Sequence, residues 1–289
     1  MEQGLWYTFG QMKAKTQEKI ILINFLQTLS PDSSKNNLKS WIEKGRVQVD
    51  GTVVKKPHQL LEIGQHVTVG PTLSFADEGV KVVYEDRYLV VIIKPEGLLS
   101  VATAKEEERT ALTILKKRLN KPVHAVHRLD RDTSGLMMFA YTTEVKDLMK
   151  KQFELHEVHR HYAALIEGHL EEKQGTWKSY LQEDAAYKVY SSPHGQLAIT
   201  HYQVVGEKPT FSCIRLSLET GRKNQIRVHT SDAGHPVIGD EKYGAKNNAF
   251  HRLCLHAFQL EFTHPVSGKK LSFKAPLPAP FLPFRKYFL

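Results

Sequence analysis

The second half of the chain is dominated by short apolar and β-branched runs separated by turn residues, and this pattern restricts the fold more than any other. Closely spaced strands with turn signals are typical of a large, mostly antiparallel sheet. The predicted strands are Tyr162–Ile166, Gly175–Tyr180, Ala198–Val205, Phe211–Leu218, Leu260–Thr263 and Leu271–Lys274. Amphipathic spacing predicts helices at Thr110–Leu119 and Thr143–Leu155, and another helix begins near Asn224. The sequence therefore predicts an α+β fold, with helices and loops flanking a large, mostly antiparallel mixed sheet.

The beginning of the chain has a different pattern, which predicts a small α+β domain. One helix is expected at Ile20–Leu29, and a second begins at about Asn36 and stops at Gly45. Alternating strands are expected around Val47–Val49 and Gln65–Val69. The predicted organisation is a loose arm at 1–17, this small domain at 18–70, a linker at 71–79 and the large domain at 80–289.

The net charge of +9 is the compositional feature that bears on function. A basic protein of this kind favours a nucleic-acid partner. No apolar run approaches the roughly 18 residues of a membrane-spanning helix, and the N-terminus lacks the pattern of a secretory signal. Cys213 and Cys254 lie in apolar runs without metal-ligand spacing. We therefore expect a cytoplasmic protein with free, buried thiols, no structural metal and no membrane partner.

A charge-dense segment at 126–135 precedes the apolar run Leu136–Ala140. It carries two carboxylates, Asp130 and Asp132, among arginines. Loops at the ends of buried strands often hold catalytic groups. A solvated turn with local ion pairs is nevertheless the more common explanation of such a segment taken alone. Residues elsewhere in the chain must decide between the two.

Motifs in the small domain carry a first resemblance. The matching residues are Ser34, Leu38, Trp41-Ile42, Gly45-Arg46-Val47-Gln48-Val49-Asp50-Gly51, Lys56 and Ile63-Gly64-Gln65-His66-Val67-Thr68-Val69. They resemble the RNA-binding domain named after the fourth protein of the small ribosomal subunit, although Ile21-Leu22-Ile23-Asn24 replaces the usual Arg-Leu-Asp opening of the first helix. The resemblance implies RNA contacts by basic side chains, which could equally be solvated surface.

Four segments of the large domain carry a second resemblance. They are Lys94-Pro95-Glu96-Gly97-Leu98, His127-Arg128-Leu129-Asp130 with Thr133-Ser134-Gly135, Tyr162-Ala163-Ala164 ending in Glu167-Gly168, and Thr220-Gly221-Arg222-Lys223-Asn224-Gln225-Ile226-Arg227-Val228-His229. The last continues through Gly234–Asp240, Tyr243-Gly244, Leu255-His256-Ala257 and His264-Pro265. In this order they resemble the RluA family of pseudouridine synthases over nearly all of residues 80 to 280. Asn224 and Arg160 stand where the family usually has His and Lys.

The resemblance implies the pseudouridine synthase fold and the isomerisation of uridine in structured RNA. Asp130 carries over as the catalytic carboxylate, which stabilises or traps the sugar when the glycosidic bond breaks. Tyr162 carries over as the aromatic that packs on the target base and helps to move a proton. Arg227 carries over as the ion-pair partner of Asp130, because an arginine beside a buried carboxylate favours its ionised form.

The same motifs imply residues that bind the RNA substrate. Arg128 is expected to fill the gap left by a flipped-out base. Arg222 and Lys223 open a helix and would suit a backbone phosphate. Leu129 and Thr133 complete the expected substrate-binding set. His127, His229 and His256 are interpreted as structural histidines.

The resemblance further implies a monomer that needs no cofactor and no metal. Its expected partner is ribosomal RNA of the large subunit, with transfer RNA as the second choice. Two other functions stay open at this point. One is an RNA-binding or ribosome-assembly factor without turnover, which the basic charge and the small domain would also suit. The other is an RNA glycosylase, which would release free uracil.

Overall fold

The structure, a computed structural model, describes residues 6–8, 11–43, 45–70, 79–102 and 109–288. Among these residues, the small domain contains two helices and seven short strands. The helices are α1 (Leu22–Leu29) and α2 (Lys35–Glu43); the strands are β1 (Trp6–Thr8), β2 (Gln11–Lys15), β3 (Ile20–Ile21), β4 (Val47–Val49), β5 (Thr52–Val53), β6 (Leu60–Leu61) and β7 (His66–Val69). A five-stranded sheet runs in the order β1-β2-β7-β4-β5, and β3 pairs with β6. The helices pack Leu26, Leu38 and Trp41 into its core.

The prediction of a loose arm at 1–17 is wrong for the residues that the structure describes there. Strand β2 pairs with β7 in antiparallel register, with Met12 opposite Val69 and Lys15 opposite His66. Met12 is buried in the core of the small domain. The pairing satisfies backbone groups along the edge of β7, and the two inward side chains of so short a strand, Met12 and Ala14, give little periodic signal. The expected linker stays a prediction, because 71–78 lie outside the described residues.

The large domain is built on one extended sheet. Its strands are β8 (Lys81–Glu85), β9 (Leu89–Lys94), β10 (His124–Ala125), β11 (Ser134–Ala140), β12 (His159–Glu167), β13 (Gln174–Glu183), β14 (Val189–Ser191), β15 (Gln196–Lys208), β16 (Phe211–Leu218), β17 (Leu255–Thr263) and β18 (Lys270–Lys274). The main path runs β14-β13-β15-β16-β12-β17-β11-β9-β8, with β10 beside β11 and β18 beside β17. Strands β11 and β17 pair in parallel, and the other pairs in this sheet are antiparallel. The predicted α+β class with a mixed, mostly antiparallel sheet is confirmed.

The apolar run after the charged segment is a central strand buried on both faces. Successive side chains of a strand point to opposite faces. Accordingly, Met137 and Phe139 belong to one core cluster, whereas Leu136 and Met138 belong to the other. This explains why the run is continuously apolar rather than alternating. The charged segment therefore ends at a rigid, buried strand.

In the described part of the large domain, three helices flank the sheet, and two short 3-10 helices lie at Glu241–Tyr243 and Ala279–Tyr287. The three are α3 (Ala111–Leu119), α4 (Thr143–Glu154) and α5 (Gln225–Asp232). Thr110 and Thr142 cap α3 and α4 by accepting backbone hydrogen bonds from the residues three positions on. No helix among the described residues is long and apolar enough to span a membrane.

Candidate active site

A cavity of about 770 Å³ opens where the charged segment, β12 and the start of α5 meet. The residues that line it include Arg128, Leu129, Asp130, Thr133, Phe153, Arg160, Tyr162, Glu219, Gly221, Arg222, Asn224 and Ile226. All but Phe153, Arg160 and Glu219 come from three of the four segments that carry the second resemblance. A concave site with converging charged groups is the usual setting of an active site.

Asp130 lies at this cavity with 22% of its side chain exposed. Its carboxylate accepts a hydrogen bond from the backbone N–H of Asn224, at the start of α5. Burial raises the pKa of Asp130, while Arg227, Arg128 and that N–H act in the opposite direction. A carboxylate at a helix N-terminus is further stabilised by the helix dipole. Asp130 is thus largely desolvated, yet reachable from the cavity.

Arg227 approaches Asp130, but its closest partner is another carboxylate. Its Nη1 is 3.8 Å from Oδ2 of Asp130. Its Nε and Nη2 each donate a 2.6 Å hydrogen bond to the buried carboxylate of Asp240. The predicted ion pair is present as a longer contact, and Asp240 fixes the arginine in a two-pronged arrangement. Asp240 lies within the matched motif, but nothing in its spacing distinguished it from the surrounding residues.

Asn224 links this ion pair to the neighbouring tyrosine. Its backbone is left-handed, with φ of 54°. Its Oδ1 accepts a 3.1 Å hydrogen bond from Nη1 of Arg227, and its Nδ2 donates to the hydroxyl of Tyr243 at 3.0 Å. Asparagine adopts this conformation more readily than most residues. Asn224 thereby orients its own N–H toward Asp130 while its side chain holds Arg227.

A buried lysine anchors the loop that carries Asp130. Lys94 is fully buried, and its Nζ donates to the carbonyl oxygens of Pro95 (2.8 Å), Leu98 (2.7 Å) and Arg131 (2.8 Å). Burial lowers the pKa of Lys94 to about 7, an effect that Asp132, Asp130 and Glu96 oppose. The lysine therefore ties the segment after β9 to the loop. The motif beginning at Lys94 was visible in the sequence, but its structural task was not.

A serine also anchors this loop, through two hydrogen bonds to its backbone. Ser100 donates a 2.7 Å hydrogen bond to the carbonyl of Leu129 and accepts one of 3.0 Å from its backbone N–H. Leu129 is buried, and the N–H of Thr133 donates to the carbonyl of Asp130 at 3.2 Å. Leu129 and Thr133, both predicted to bind substrate, line the cavity with most of their surface buried. The Thr133 hydroxyl has no hydrogen-bond partner among the described residues.

Tyr162 lies on β12 at the cavity, with 6% of its surface exposed. Burial raises the pKa of its phenol; Arg160 lowers the value and Asp130 raises it. The phenol is therefore neutral at physiological pH and retains its proton. The structure brings together the three residues predicted to be catalytic, Asp130, Tyr162 and Arg227.

The predicted RNA-binding cations differ in their surroundings. Arg128 is exposed and lines the cavity, where its charge lowers the pKa of Asp130. Arg222 is exposed, and its Nε donates to the carbonyl of Leu197 at 3.0 Å. Lys223 pairs with the carboxylate of Glu183. Arg128 and Arg222 are thus better placed than Lys223 to receive a phosphate.

The three histidines that we interpreted as structural have defined partners inside the domain. His127 accepts a 3.0 Å hydrogen bond from the N–H of Met138. Burial lowers the pKa of His127 to about 3 and that of His229 to about 4. The pKa of His256 is likewise lowered to about 3 by burial. These imidazoles are neutral near pH 7 and carry no charge into the cavity.

Comparison with known proteins identifies two family models in the chain. One, RNA pseudouridylate synthase, matches residues 88–232, and the other, the S4 domain, matches residues 22–67. A ribosomal large subunit pseudouridine synthase D from Vibrio cholerae is 33% identical over 276 residues, which are 86% of this chain and 85% of that protein. These matches cover both domains.

Solved structures of two human proteins extend the comparison. Human RNA pseudouridylate synthase domain containing 4 shares 26% identity with a TM-score of 0.57, covering 70% of this chain and 90% of its own. Human RNA pseudouridylate synthase domain containing 1 shares 27% identity with a TM-score of 0.58, covering 71% and 86%. Together with the sheet topology, these likenesses show that the chain belongs to the RNA pseudouridylate synthase family, as an RluA-type member with an N-terminal S4 domain.

Proposed function

We propose that the protein converts specific uridines of large-subunit ribosomal RNA into pseudouridine, with Asp130 as the catalytic carboxylate. The observation that carries the proposal is the placement of Asp130. It is desolvated at a cavity, accepts the Asn224 N–H and faces Arg227. A carboxylate held in this way can stabilise positive charge that develops on a sugar, or bond to it.

The reaction rearranges the atoms of uridine without a net change. The bond between the sugar and uracil N1 breaks, and its electron pair leaves with the base. The Asp130 carboxylate balances the charge on the sugar while the base turns inside the cavity. A new bond then joins the sugar to uracil carbon five; that carbon loses its hydrogen as a proton, and N1 gains one. The isomerisation conserves atoms and electrons, so we propose that it needs no cofactor and no metal.

Tyr162 and Arg128 have complementary tasks in this proposal. The ring of Tyr162 packs on the uracil, and its neutral phenol helps to relay the final proton. A uridine stacked in RNA hides its glycosidic bond, so the base must leave the stack. Arg128, exposed at the cavity, fills the vacated space.

The choice of RNA rests on the relatives, whose printed name is ribosomal large subunit pseudouridine synthase D. The S4 domain and the net charge of +9 suit an RNA of this kind. We propose that the protein works on this RNA as a cytoplasmic monomer. The S4 domain provides a second RNA contact away from the cavity.

Replacing Asp130 tests the proposal. Unmodified large-subunit RNA carrying tritium at uracil carbon five should release tritium with the wild-type protein, because that carbon loses its hydrogen. Asp130→Ala should release none, while its RNA affinity and melting temperature stay close to those of the wild type. Asp132→Asn, in the same loop but paired with Arg131, is the matched control and should release tritium normally.

Three outcomes would contradict the proposal. Normal tritium release by Asp130→Ala would remove Asp130 from the chemistry. Tight RNA binding by the wild type without any release would favour an RNA-binding assembly factor. Free uracil in the medium would indicate a glycosylase.

A further inference from the structure

Arg160 is a half-buried cation at the cavity that the proposed chemistry does not use. It lies on β12 two residues before Tyr162, and both residues line the cavity. Its guanidinium carbon is 5.1 Å from the centre of the Phe153 ring. Contact with an aromatic face holds a guanidinium in position without neutralising its charge.

The guanidinium is poorly paired for its degree of burial. Its Nη2 reaches the carbonyl oxygens of Leu218 and Glu219 only at 3.5 and 3.4 Å. Its Nε has no hydrogen-bond partner, and no carboxylate lies within 4.0 Å of it, among the described residues. Arg227, in contrast, makes two hydrogen bonds of 2.6 Å. A partly desolvated cation without an anion is expensive unless a ligand supplies one.

Gly221 leaves the space in which the guanidinium lies. A Cβ atom at position 221 would be 2.5 Å from Nη1 of Arg160. Only glycine at this position therefore permits the observed side-chain placement. The exposed Arg222 lines the same cavity, which therefore carries both cations.

The carboxylates near this place do not neutralise Arg160. Glu219 lines the cavity, but its Oε1 is 2.6 Å from Nε2 of His201. Glu154 is exposed at the end of α4. Neither forms an ion pair with Arg160, so its positive charge at the cavity is not neutralised by these carboxylates.

We infer that Arg160 binds a backbone phosphate of the RNA next to the flipped uridine. This inference rests on the proposed function. A guanidinium presents donors in a planar fork that matches phosphate oxygens. Its position beside Tyr162 would couple capture of the backbone to seating of the base, so that the uridine enters the cavity with its phosphate already held.

The salt dependence of RNA binding tests the site. Affinity for an unmodified large-subunit RNA transcript is measured between about 50 and about 200 mM salt for the wild type, Arg160→Met and Arg160→Lys. Loss of one phosphate contact should reduce the slope of log affinity against log salt by about 0.7 to 0.9. Of these three proteins, Arg160→Met should show this loss, with a roughly tenfold higher KM and little change in kcat. Arg160→Lys keeps the charge and should keep the slope.

Two further variants separate this site from general effects. Arg215→Met removes another half-buried arginine, one that lies over Phe258 outside the cavity, and should leave slope and KM unchanged. Gly221→Ala displaces the guanidinium and should reproduce the Arg160→Met slope. If Arg160→Met melts below the assay temperature, Gly221→Ala replaces it as the test variant. An unchanged slope in both Arg160→Met and Gly221→Ala, with normal tritium release by the wild type, would overturn the phosphate site alone. Wild-type binding without release would overturn the proposed function and leave the slope comparison valid.

Discussion

Arg227 donates two 2.6 Å hydrogen bonds to Asp240, whereas its contact with Asp130 is 3.8 Å. The arginine is therefore shared unequally between two carboxylates. Asp240 is almost fully buried and holds the guanidinium plane, and Asp130 meets the remaining edge from the cavity side. This division lets Arg227 support Asp130 without closing over it.

Replacement of Asp240 by asparagine should weaken both stability and turnover. The amide cannot accept both guanidinium donors, and breaking a buried pair costs about 3 to 5 kcal/mol of unfolding free energy. We expect kcat to fall by roughly 10- to 100-fold, as when a group that orients a reactive ligand is removed. Chemical denaturation and single-turnover tritium release measure the two effects.

The same variant has a defined effect on pH dependence. Burial raises the pKa of Asp130, and the charge of Asp240 raises it further. Since the proposed mechanism requires the ionised carboxylate of Asp130, we expect turnover to fall as the pH drops through this pKa. Removing the Asp240 charge should move the acid limb of the pH–rate profile, where turnover falls, to lower pH. Asp232→Asn changes an exposed carboxylate at the end of α5 and should leave the limb in place; a shift to higher pH in Asp240→Asn would contradict the assignment.

Asn224 should show separable contributions from its side chain and its backbone. Asn224→Gly removes the hydrogen bonds to Arg227 and Tyr243 but tolerates a φ of 54°. We expect about a tenfold loss in kcat, since two hydrogen bonds of about 1 kcal/mol each are lost, one with Arg227 and one with Tyr243. The rate in single turnover measures this loss.

Asn224→Ala removes the same side-chain groups and adds a backbone penalty. A left-handed alanine costs about 1 to 2 kcal/mol, so stability should fall below that of Asn224→Gly. The N–H that lowers the pKa of Asp130 would also be displaced, and the acid limb should move to higher pH. Identical stabilities and pH profiles in the two variants would show that the left-handed backbone is unimportant.

Lys94 should make the free energy of unfolding of the large domain depend on pH in the alkaline range. Burial lowers its pKa to about 7 in the folded protein. The unfolded chain binds the proton up to about pH 10.4, so unfolding takes up a proton between these values. The free energy of unfolding should therefore rise with pH from about 7 to about 10, by at most about 1.4 kcal/mol per pH unit.

Lys94→Met removes the titrating group and the hydrogen bonds to the loop. Its stability should lose the alkaline rise, which denaturant titrations at several pH values would detect. Lys117→Met, at an exposed position of α3, is the control and should retain the rise. A rise of equal size in Lys94→Met would mean that another group causes it.

Gly135 should tolerate no side chain. A Cβ atom there would lie 2.2 Å from the carbonyl oxygen and 2.6 Å from the nitrogen of Ala257. Both are backbone atoms of the paired strand, so Gly135→Ala should cost about 3 kcal/mol or more and reduce turnover through the adjacent loop. Gly234→Ala also has a positive φ, but nothing lies within 4 Å of its Cβ, and its cost should stay near 1 to 2 kcal/mol. Thermal melting of the two variants makes the comparison.

Much of the fold was predictable because its signals are local. The helix at Thr143–Glu154 follows from apolar spacing and a threonine cap, and the strand at Ser134–Ala140 follows from an uninterrupted apolar run. The strand Gln11–Lys15 was missed, because its stability comes from pairing with a distant edge rather than from its own pattern. Tertiary pairing of this kind leaves little trace in five residues.

The site was predictable in its membership but not in its contacts. The motifs identified Asp130, Tyr162 and Arg227 as neighbours; in the structure Asp130 and Tyr162 line one cavity and Arg227 contacts Asp130, while their roles stay predictions. The dominant partner of Arg227 was missed, because a sequence does not show which of two carboxylates a guanidinium will face. The three-fold hydrogen bonding of Lys94 was hidden for the same reason, since its acceptors are backbone carbonyls.

The parallel pairing of β11 with β17 has a consequence for the order of events during synthesis. Ser134 lies opposite His256, and Gly135 lies opposite Ala257, so the strand that anchors the Asp130 loop gains this neighbour only after most of the chain has been made. Contacts between such distant segments form late, because a long loop must first be closed. A nascent chain that ends before β17 therefore contains the whole small domain, but lacks the strand that pairs beside the Asp130 loop. The enzyme acquires RNA-binding surface before it acquires a working active site.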